Sequence, residues 1–159
     1  VSGGTESNDG SNLFISGGIV IVAGKDAIDS NGNITITGGT TIVCGVTNSP
    51  EEGLDFNGTF VMNGGFIICA QLAATSVLHI ENAAGTEMVT FKPKNAVYYF
   101  HFSSPNIAAA TSYKVYFGGT YTGGSFVGGS TGWGLYTGGT YSTVGGTLKS
   151  TFTSSASST

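Results

Sequence analysis

Three segments of the chain share one pattern, in which apolar and polar residues alternate on either side of a glycine pair. They are LFISGGIVIVAG (13–24), ITITGGTTIVCG (34–45) and TFVMNGGFIICA (59–70). Alternation over four or five residues predicts short β-strands, and the recurrence predicts that the strands belong to a structural repeat. A partial fourth copy, VSGGTESNDGSN, precedes them.

The glycine pairs recur at nearly regular intervals. Those that begin at residues 17, 38 and 64 are 21 and 26 residues apart, which is a usual length for one coil of a parallel β-solenoid. A Gly-Gly pair would bend the strand at a corner where a side chain would clash or where φ must be positive. The pattern therefore predicts an all-β fold, a parallel β-helix whose stacked coils bury a shared core.

Aligned on the glycine pairs, the repeats predict which side chains lie above one another. Equivalent residues of successive coils would form inward ladders about 4.8 Å apart. The predicted inward columns are Leu13, Ile34 and Phe60; Ile15, Ile36 and Met62; Val20, Thr41 and Ile67; Val22, Val43 and Cys69; and Ile28 over Leu54.

One apolar column points outward in this alignment. Ile21, Ile42 and Ile68 would face away from the core, and an outward apolar ladder needs a cover. Two explanations stay open: the C-terminal half of the chain packs there, or the column belongs to a subunit interface.

The two cysteines would lie on opposite faces of neighbouring strands. Cys44 aligns with Ala70, and Cys69 aligns with Val43. This register disfavours a disulfide. Neither a CxxC spacing nor clustered histidines accompany the cysteines, which argues against a zinc site.

The pattern changes after residue 75. Residues 112–146 are predicted to form short strands separated by glycine pairs, and a turn at Ala84-Gly85 is predicted to join two strands. The organisation predicted is coils over 1–74, a β-rich half over 75–153 that packs on them, and a flexible tail over 154–159; strands of the second part are expected at 77–81, 86–91, 97–102 and 147–153.

Composition narrows the classes of partner. Charged residues make up 9% of the 159 residues, against about 25% in an average globular protein. The net charge is −4 with 5 lysines and arginines, which argues against nucleic acid. No apolar run reaches the roughly 18 residues of a transmembrane helix. Without an initial Met or a signal peptide, the chain is expected to be a mature or trimmed product.

Four segments in this order resemble a known family. DAIDSNGNITITGGTTIV, GLDFNGTFVMNGG, TFKPKNAVYYFHFSSP and GLYTGGTYSTVGGT are similar to segments of the secreted bacterial carbohydrate-binding-domain proteins with a polysaccharide-lyase-like β-helix. The resemblance implies a right-handed parallel β-helix, calcium at the turns between coils, and binding of plant-type or acidic polysaccharide at the cell surface or in the matrix without established catalysis.

One turn of the predicted coils is rich in carboxylates. Asp26 and Asp29 would lie over Glu52 and Asp55 of the next coil. Carboxylates this close repel one another unless a cation or protons intervene, and oxygen ligands suit Ca²⁺. Alternatively, Asp29 and Asp55 accept hydrogen bonds from turn amides, as aspartates in turns often do.

Aromatic residues are concentrated in the C-terminal part. Their ring faces suit the apolar faces of sugars, but alternate strand positions of a small β-unit are equally suited to its core. His79 and His101 are expected to be ordinary strand side chains. The candidate carbohydrate-binding residues are Tyr121, Trp133, Tyr136 and Tyr141.

Two asparagines, Asn33 and Asn57, begin formal N-glycosylation sequons. Both sit where turns are predicted, and asparagine is common in turns without carrying sugar. Attached sugar and a purely structural role therefore both remain open for these two residues.

The sequence does not favour an enzyme. A lyase of this shape would need an arginine or lysine beside its acids, but the chain has no arginine, and Lys25 is the only lysine near the carboxylates. We therefore expect a non-catalytic protein.

The first copy of the repeat is short. Its glycine pair begins at residue 3 and the next at residue 17, so part of a coil is missing and the end of the β-helix would be open. Open ends invite strand addition. Either coils upstream were removed, or a neighbouring copy supplies a strand and builds a head-to-tail filament. Two functions follow as expectations: an extracellular polysaccharide-binding module, or a structural subunit of an extracellular filament.

Overall fold

The computed structural model describes residues 6–45, 53–70, 76–94, 100–128 and 132–155, and their regular structure is entirely β-strand. The predicted all-β class is confirmed. None of these residues forms a helix with the length and apolarity that a membrane span requires. The strands are β1 Asn12–Ile15, β2 Ile19–Ala23, β3 Ile28–Ser30, β4 Asn33–Ile36, β5 Thr40–Cys44, β6 Leu54–Phe56, β7 Phe60–Met62, β8 Phe66–Ala70, β9 Leu78–Asn82, β10 Glu87–Lys92, β11 Phe100–Ser103, β12 Ser112–Val127 and β13 Gly134–Thr153.

The chain divides into two compact units. The first comprises Val1–Leu72 and Asn95–Pro105, and the second comprises Ala73–Lys94 and Asn106–Thr159. The segment around β11 joins the first unit because β11 pairs antiparallel with β8. The sequence had placed this segment with the C-terminal half, since strand pairing between distant segments leaves no local signal.

Parallel sheets build the first unit. The strand orders are β1-β4-β7, β2-β5-β8 with β11 added at the edge, and β3-β6. Successive repeats contribute their strands to these sheets in the same order along the chain. Ile15 pairs with Ile36 and Ile36 with Met62, and the other predicted columns pair in the predicted register. The alignment of the repeats is therefore confirmed strand by strand.

The glycine pairs satisfy both conditions expected of a corner. The second glycines, Gly18, Gly39 and Gly65, have φ of 76°, 82° and 79°, a region that L side chains avoid. A Cβ at Gly39 would lie 2.7 Å from the carbonyl carbon of Gly17, one repeat earlier. A side chain at this position would therefore force apart the stacked strands of successive repeats, which we call rungs.

The inward columns form the core of the first unit. Its buried residues include Ile34 and Ile36, which have no exposed surface, together with Val43 and Ile67. Thr41 also points inward and is fully buried, and within the described residues its Oγ1 has no hydrogen-bond partner. A polar atom thus interrupts an otherwise apolar column.

The outward isoleucine column is also largely buried. Ile42 and Ile68 have no exposed surface, whereas Ile21 in the first rung is 40% exposed. The expectation that this column needs a cover is met for its two inner members. The cysteines follow the predicted register, with Cys69 beside Val43 and Cys44 beside Ala70, and they do not form a disulfide.

Four antiparallel strands form the second unit as a closed sheet in the order β10-β13-β12-β9. The predicted turn joins β9 to β10, and the side-chain oxygen of Asn82 accepts hydrogen bonds from the amides of Ala84 and Thr86. One face of the sheet is apolar and buried, with Leu78, Ile80, Val89, Phe91 and Val115.

The prediction of short strands over 112–146 was wrong. Residues 112–127 and 134–146 belong to two long paired strands, β12 and β13, and the glycine pairs at 118–119, 123–124, 138–139 and 145–146 lie within them. Gly118 pairs with Gly146 and Gly123 with Gly139, and the register shifts near Gly118. Glycines facing each other across a ladder bend the strands without ending them.

We predict that Thr41→Val stabilises the protein by about 1–3 kcal/mol, because it replaces a buried, unpaired hydroxyl with a methyl group of similar size. Equilibrium denaturation in urea measures this change. Thr41→Ser is the matched control: it keeps the hydroxyl and loses a methyl group, so it should be destabilising. A Thr41→Val variant no more stable than the wild type would contradict the inward placement of this side chain.

Candidate functional site

A polar cleft with a volume of about 570 Å³ lies in the second unit. We call it the His79 cleft. Its size falls within the range of small-molecule sites, and its wall combines carboxylates, hydroxyls and an aromatic ring. The residues that line it are His79, Glu81, Gly85, Glu87, Gly139, Thr140, Tyr141, Ser142 and Thr143.

Strand alternation places His79 at the base of this cleft. On β9 its neighbours Leu78 and Ile80 point to the buried apolar face, so His79 points to the opposite face. The register sets Thr90 of β10 on one side of it and Tyr116 of β12 on the other. Side chains directly opposite one another on neighbouring strands are close enough to interact.

A hydrogen-bond chain runs from His79 to Glu87. The Thr90 hydroxyl donates to Oε2 of Glu87 at 2.7 Å, and Nδ1 of His79 lies 2.7 Å from the same hydroxyl. The hydroxyl gives its one proton to Glu87, and the tautomer of the imidazole sets the roles in its contact with Nδ1. The chain thereby orients both the imidazole ring and the Glu87 carboxylate.

A second carboxylate, Glu81, lies on the other side of the imidazole. Its Oε2 is 3.6 Å from Nε2 of His79, and its Oε1 is 3.4 Å from Nζ of Lys114 on β12. Burial lowers the pKa of His79, although the nearby carboxylates of Glu87 and Glu81 act in the opposite direction. Burial dominates, so the imidazole is neutral at pH 7.

Tyr141 covers His79. The two rings stack with centroids 3.9 Å apart and an angle of 11° between their planes. The Tyr141 hydroxyl donates to the carbonyl oxygen of Gly118 at 2.9 Å. Burial, with the nearby charge of Glu81, raises the pKa of Tyr141 to about 12. The side chain of Tyr141 is therefore fixed by stacking of its ring on His79 and by the hydrogen bond of its hydroxyl. It carries no charge at neutral pH.

Of the four predicted carbohydrate-binding aromatics, Tyr141 is the one that lines this cleft. Trp133 and Tyr136 are 7% and 5% exposed and therefore present little ring surface to a ligand. For these two residues the structure favours the alternative in which the aromatic side chains belong to the core of the β-unit. The Tyr136 hydroxyl lies 2.7 Å from the carbonyl oxygen of Thr122 and donates to it. Tyr121 is partly exposed and packs edge-on against Phe126 with centroids 5.0 Å apart.

Three of the four residues of the predicted carboxylate turn, Asp26, Asp29 and Asp55, lie among the described residues. Asp29 pairs with Asp55 across β3 and β6, whereas Glu52 lies outside the described residues. Burial and the charges of Asp26 and Asp29 raise the pKa of Asp55. Within the part of the chain that the structure describes, no three acidic, histidine or cysteine side chains are arranged to hold a metal ion. Calcium binding at this turn stays a prediction.

The two sequon asparagines lie between rungs of the first unit. Nδ2 of Asn33 donates to Oδ1 of Asn12 at 3.0 Å, and Oδ1 of Asn33 accepts from the amide of Thr59 at 2.9 Å. Asn33 therefore links three successive rungs through the atoms that a sugar would modify or displace. Asn57 has a buried Oδ1 without a hydrogen-bond partner among the described residues. Glycosylation at both positions stays a prediction.

Sequence reasoning missed the polar cluster around His79. A local signal was present: the turn between β9 and β10 sets His79 opposite Thr90 once the hairpin register is drawn. Tyr141 carried no such signal, because its position over His79 depends on the bend of two long strands.

Comparisons with protein-family models, with curated proteins and with solved structures each found no match to this chain. The interpretation of the cleft therefore depends on its own geometry and chemistry.

We predict that Asp55→Asn changes how stability depends on pH. The folded-state pKa of Asp55 is raised from 3.8, so its favourable contribution is full below that value and is lost as pH rises through the folded pKa. Relative to the wild type, the variant should gain stability as the pH rises above 3.8, measured by thermal unfolding from acidic to neutral pH.

Asp9→Asn is the control for this experiment. The hydrogen bonds from Ser11 lower the pKa of Asp9, so this substitution should produce no gain as pH rises. Parallel stability profiles for wild type and Asp55→Asn would contradict the proximity of the three aspartates.

Proposed function

We propose that this chain is an extracellular, non-catalytic carbohydrate-binding protein. The observation that carries the proposal is the His79 cleft, whose lining brings together the aromatic Tyr141, the hydroxyl-bearing residues Thr140, Ser142 and Thr143, and the acidic Glu87. Sugars present hydroxyls and apolar C–H faces, and such a wall complements both. The extracellular location follows from the resemblance to secreted carbohydrate-binding-domain proteins.

The same proposal includes a right-handed parallel β-helix for the first unit. Its support is that each repeat adds strands to the parallel sheets in the same order and register. The handedness comes from the resemblance to proteins with a polysaccharide-lyase-like β-helix. Repeats arranged in this way bury a continuous core and leave the turns as variable surface.

The accessibility of the acids supports binding without catalysis. His79 is 3% exposed and lies beneath Tyr141. The side chain of Glu81 is 13% exposed and paired with Lys114, whereas that of Glu87 is 45% exposed. A ligand in the cleft therefore meets one open carboxylate. Most glycoside hydrolases need two that flank the scissile bond.

A polysaccharide-retention experiment tests this function. We expect the protein to be retained on at least one of cellulose, chitin, chitosan and pectin, and Tyr141→Ala to bind about fivefold to tenfold more weakly because it removes the ring. Tyr141→Phe keeps the ring and should bind nearly as well as the wild type. Far-ultraviolet circular dichroism checks that each variant is folded. Failure of the wild type to bind any of the four polysaccharides would overturn the proposal.

A second function, self-assembly into an extracellular filament, has its own support at one end of the first unit. β1 and β2 are the outermost described strands of their sheets. Beside them lies an apolar groove of about 420 Å³, and Ile19 on β2 is 67% exposed. Exposed apolar strand edges favour pairing with another chain. The residues lining the groove are Leu13, Phe14, Ile15, Val20, Val22, Ala27, Ile28 and Asp29.

The repeat itself identifies a second copy as the occupant of this groove. β6 and β7 are the outermost described strands at the other end of their sheets, and their inward residues belong to the same columns as those of the groove. A rung from another copy would therefore continue the ladders of the β1-β4-β7 and β3-β6 sheets, whereas the far edge of the third sheet is occupied by β11. Such a head-to-tail contact does not close on itself and builds a filament.

We expect this second function to appear as concentration-dependent filaments in negative-stain electron micrographs. Ile19→Lys should abolish them, because a lysine at an exposed strand edge opposes edge pairing. Val144→Lys is the control, since Val144 is similarly exposed but lies on β13 in the other unit. A wild-type protein that stays monomeric at high concentration would exclude the filament.

Calcium at the carboxylate turn remains a separate proposal, supported by the pairing of Asp29 with Asp55 and by the charge of Asp26. The wild type and the Asp55→Asn variant, compared above as a function of pH, also test calcium binding. Calcium at about 1 mM, the range of extracellular sites, should raise the unfolding temperature of the wild type at pH 7 and not that of Asp55→Asn.

A further inference from the structure

The arrangement of Glu87 identifies the kind of sugar that the His79 cleft would accept. Its carboxylate is the most accessible charged group of the cleft, with 45% of the side chain exposed. The hydroxyl of Thr90, which is fully buried, holds Oε2 at 2.7 Å. His79 in turn holds Thr90 through Nδ1. The carboxylate is thus fixed before any ligand arrives, which lowers the entropic cost of binding to it.

The other charges of the cleft are offset or absent. The ammonium of Lys114 lies 3.4 Å from Glu81 and balances its charge. Burial lowers the pKa of His79 and raises that of Tyr141, so both rings are neutral at pH 7. The residues that line the cleft include no lysine. The uncompensated charge that faces a ligand is therefore the negative charge of Glu87.

An uncompensated carboxylate discriminates between classes of sugar. It repels the carboxylate of a uronic acid and attracts a protonated amine, and the interaction strengthens where water is partly excluded. Thr143, Thr140 and the backbone at Gly139 also line the cleft and can bind hydroxyls of the same sugar ring. The cleft therefore differs from the acidic-polysaccharide site that the family resemblance implies.

We propose that the His79 cleft binds a glycan that contains amino sugars with free, protonated amines, and that the amine contacts the Glu87 carboxylate. This inference rests on the proposed carbohydrate-binding function and specifies its ligand. Thr90 and His79 act as positioning residues for Glu87, and Tyr141 covers His79 beside the bound ring.

Isothermal titration calorimetry of the full chain with three oligosaccharides of equal length tests this inference. The probes are a glucosamine oligomer, an N-acetylglucosamine oligomer and a galacturonate oligomer. We expect the glucosamine oligomer to bind about tenfold or more tightly than its acetylated counterpart, as a charge-assisted contact provides. This preference should shrink as salt is added. The galacturonate oligomer should bind most weakly.

Two variants separate the site from a general attraction of polycations to an acidic protein. Glu87→Gln keeps the oxygen that Thr90 contacts but removes the charge, so it should abolish the preference for the free amine. Glu6→Gln removes the same charge from an exposed residue of the first unit and should leave the preference unchanged. Equal losses in the two variants, or a preference that survives in Glu87→Gln, would overturn the inference.

The outcomes also distinguish this inference from the proposed function. Equal affinity for the glucosamine and N-acetylglucosamine oligomers, or tighter binding of galacturonate, would overturn the amine site and leave carbohydrate binding intact. Absence of binding to all three oligomers and to the four polysaccharides would overturn both.

Discussion

The in-register stacking of successive repeats is the constraint on which the first unit depends. Neighbouring strands in a sheet are about 4.8 Å apart, so every residue of one rung lies against its equivalent in the next. Where the chain turns, that distance leaves no room for side chains: a Cβ at Gly32 would collide with the backbone of Ser11, and one at Gly58 with the backbone of Gly32. Glycine in these columns is therefore a steric requirement of the stack.

The same close approach determines the chemistry of the polar positions. Asn33 uses one amide group to bind the rung above and the rung below, because the spacing between rungs matches the reach of a short side chain. Asp29 and Asp55 are placed together by the same register, and there the proximity is unfavourable because like charges repel. Stacking thus favours the amide of Asn33 and disfavours the paired carboxylates of Asp29 and Asp55.

In the second unit, glycine serves a different purpose. Gly119 leaves space for the ring of Tyr141, and Gly124 and Gly139 leave space for the ring of Tyr136, as shown by where a Cβ at each would meet those rings. An aromatic ring lying over a glycine on a neighbouring strand restores the packing that glycine lacks. In this position the Tyr141 ring also stacks on His79, so the packing that supports the glycine-rich hairpin also builds the wall of the cleft.

The repeat pattern alone determined the strands of the first unit, the register that pairs Ile36 with Met62, and the glycine corners such as Gly39. These features follow from residues near one another in sequence and from a spacing that the chain itself displays. The hairpin turn at Asn82 has the same local origin. The repeat pattern did not determine which aromatic side chains are exposed and which are buried. A strand pattern does not distinguish Trp133 in a core from Tyr141 beside a cleft.

Only the tertiary structure decided that β11 returns to pair with β8, that β12 and β13 run unbroken through their glycine pairs, and that Tyr141 covers His79. Each of these contacts joins segments far apart along the chain, and their positions depend on how long strands bend and close into a sheet. The accessibility of Glu87 was also decided by the tertiary structure, because it depends on which neighbours cover His79 and Glu81 and leave Glu87 exposed.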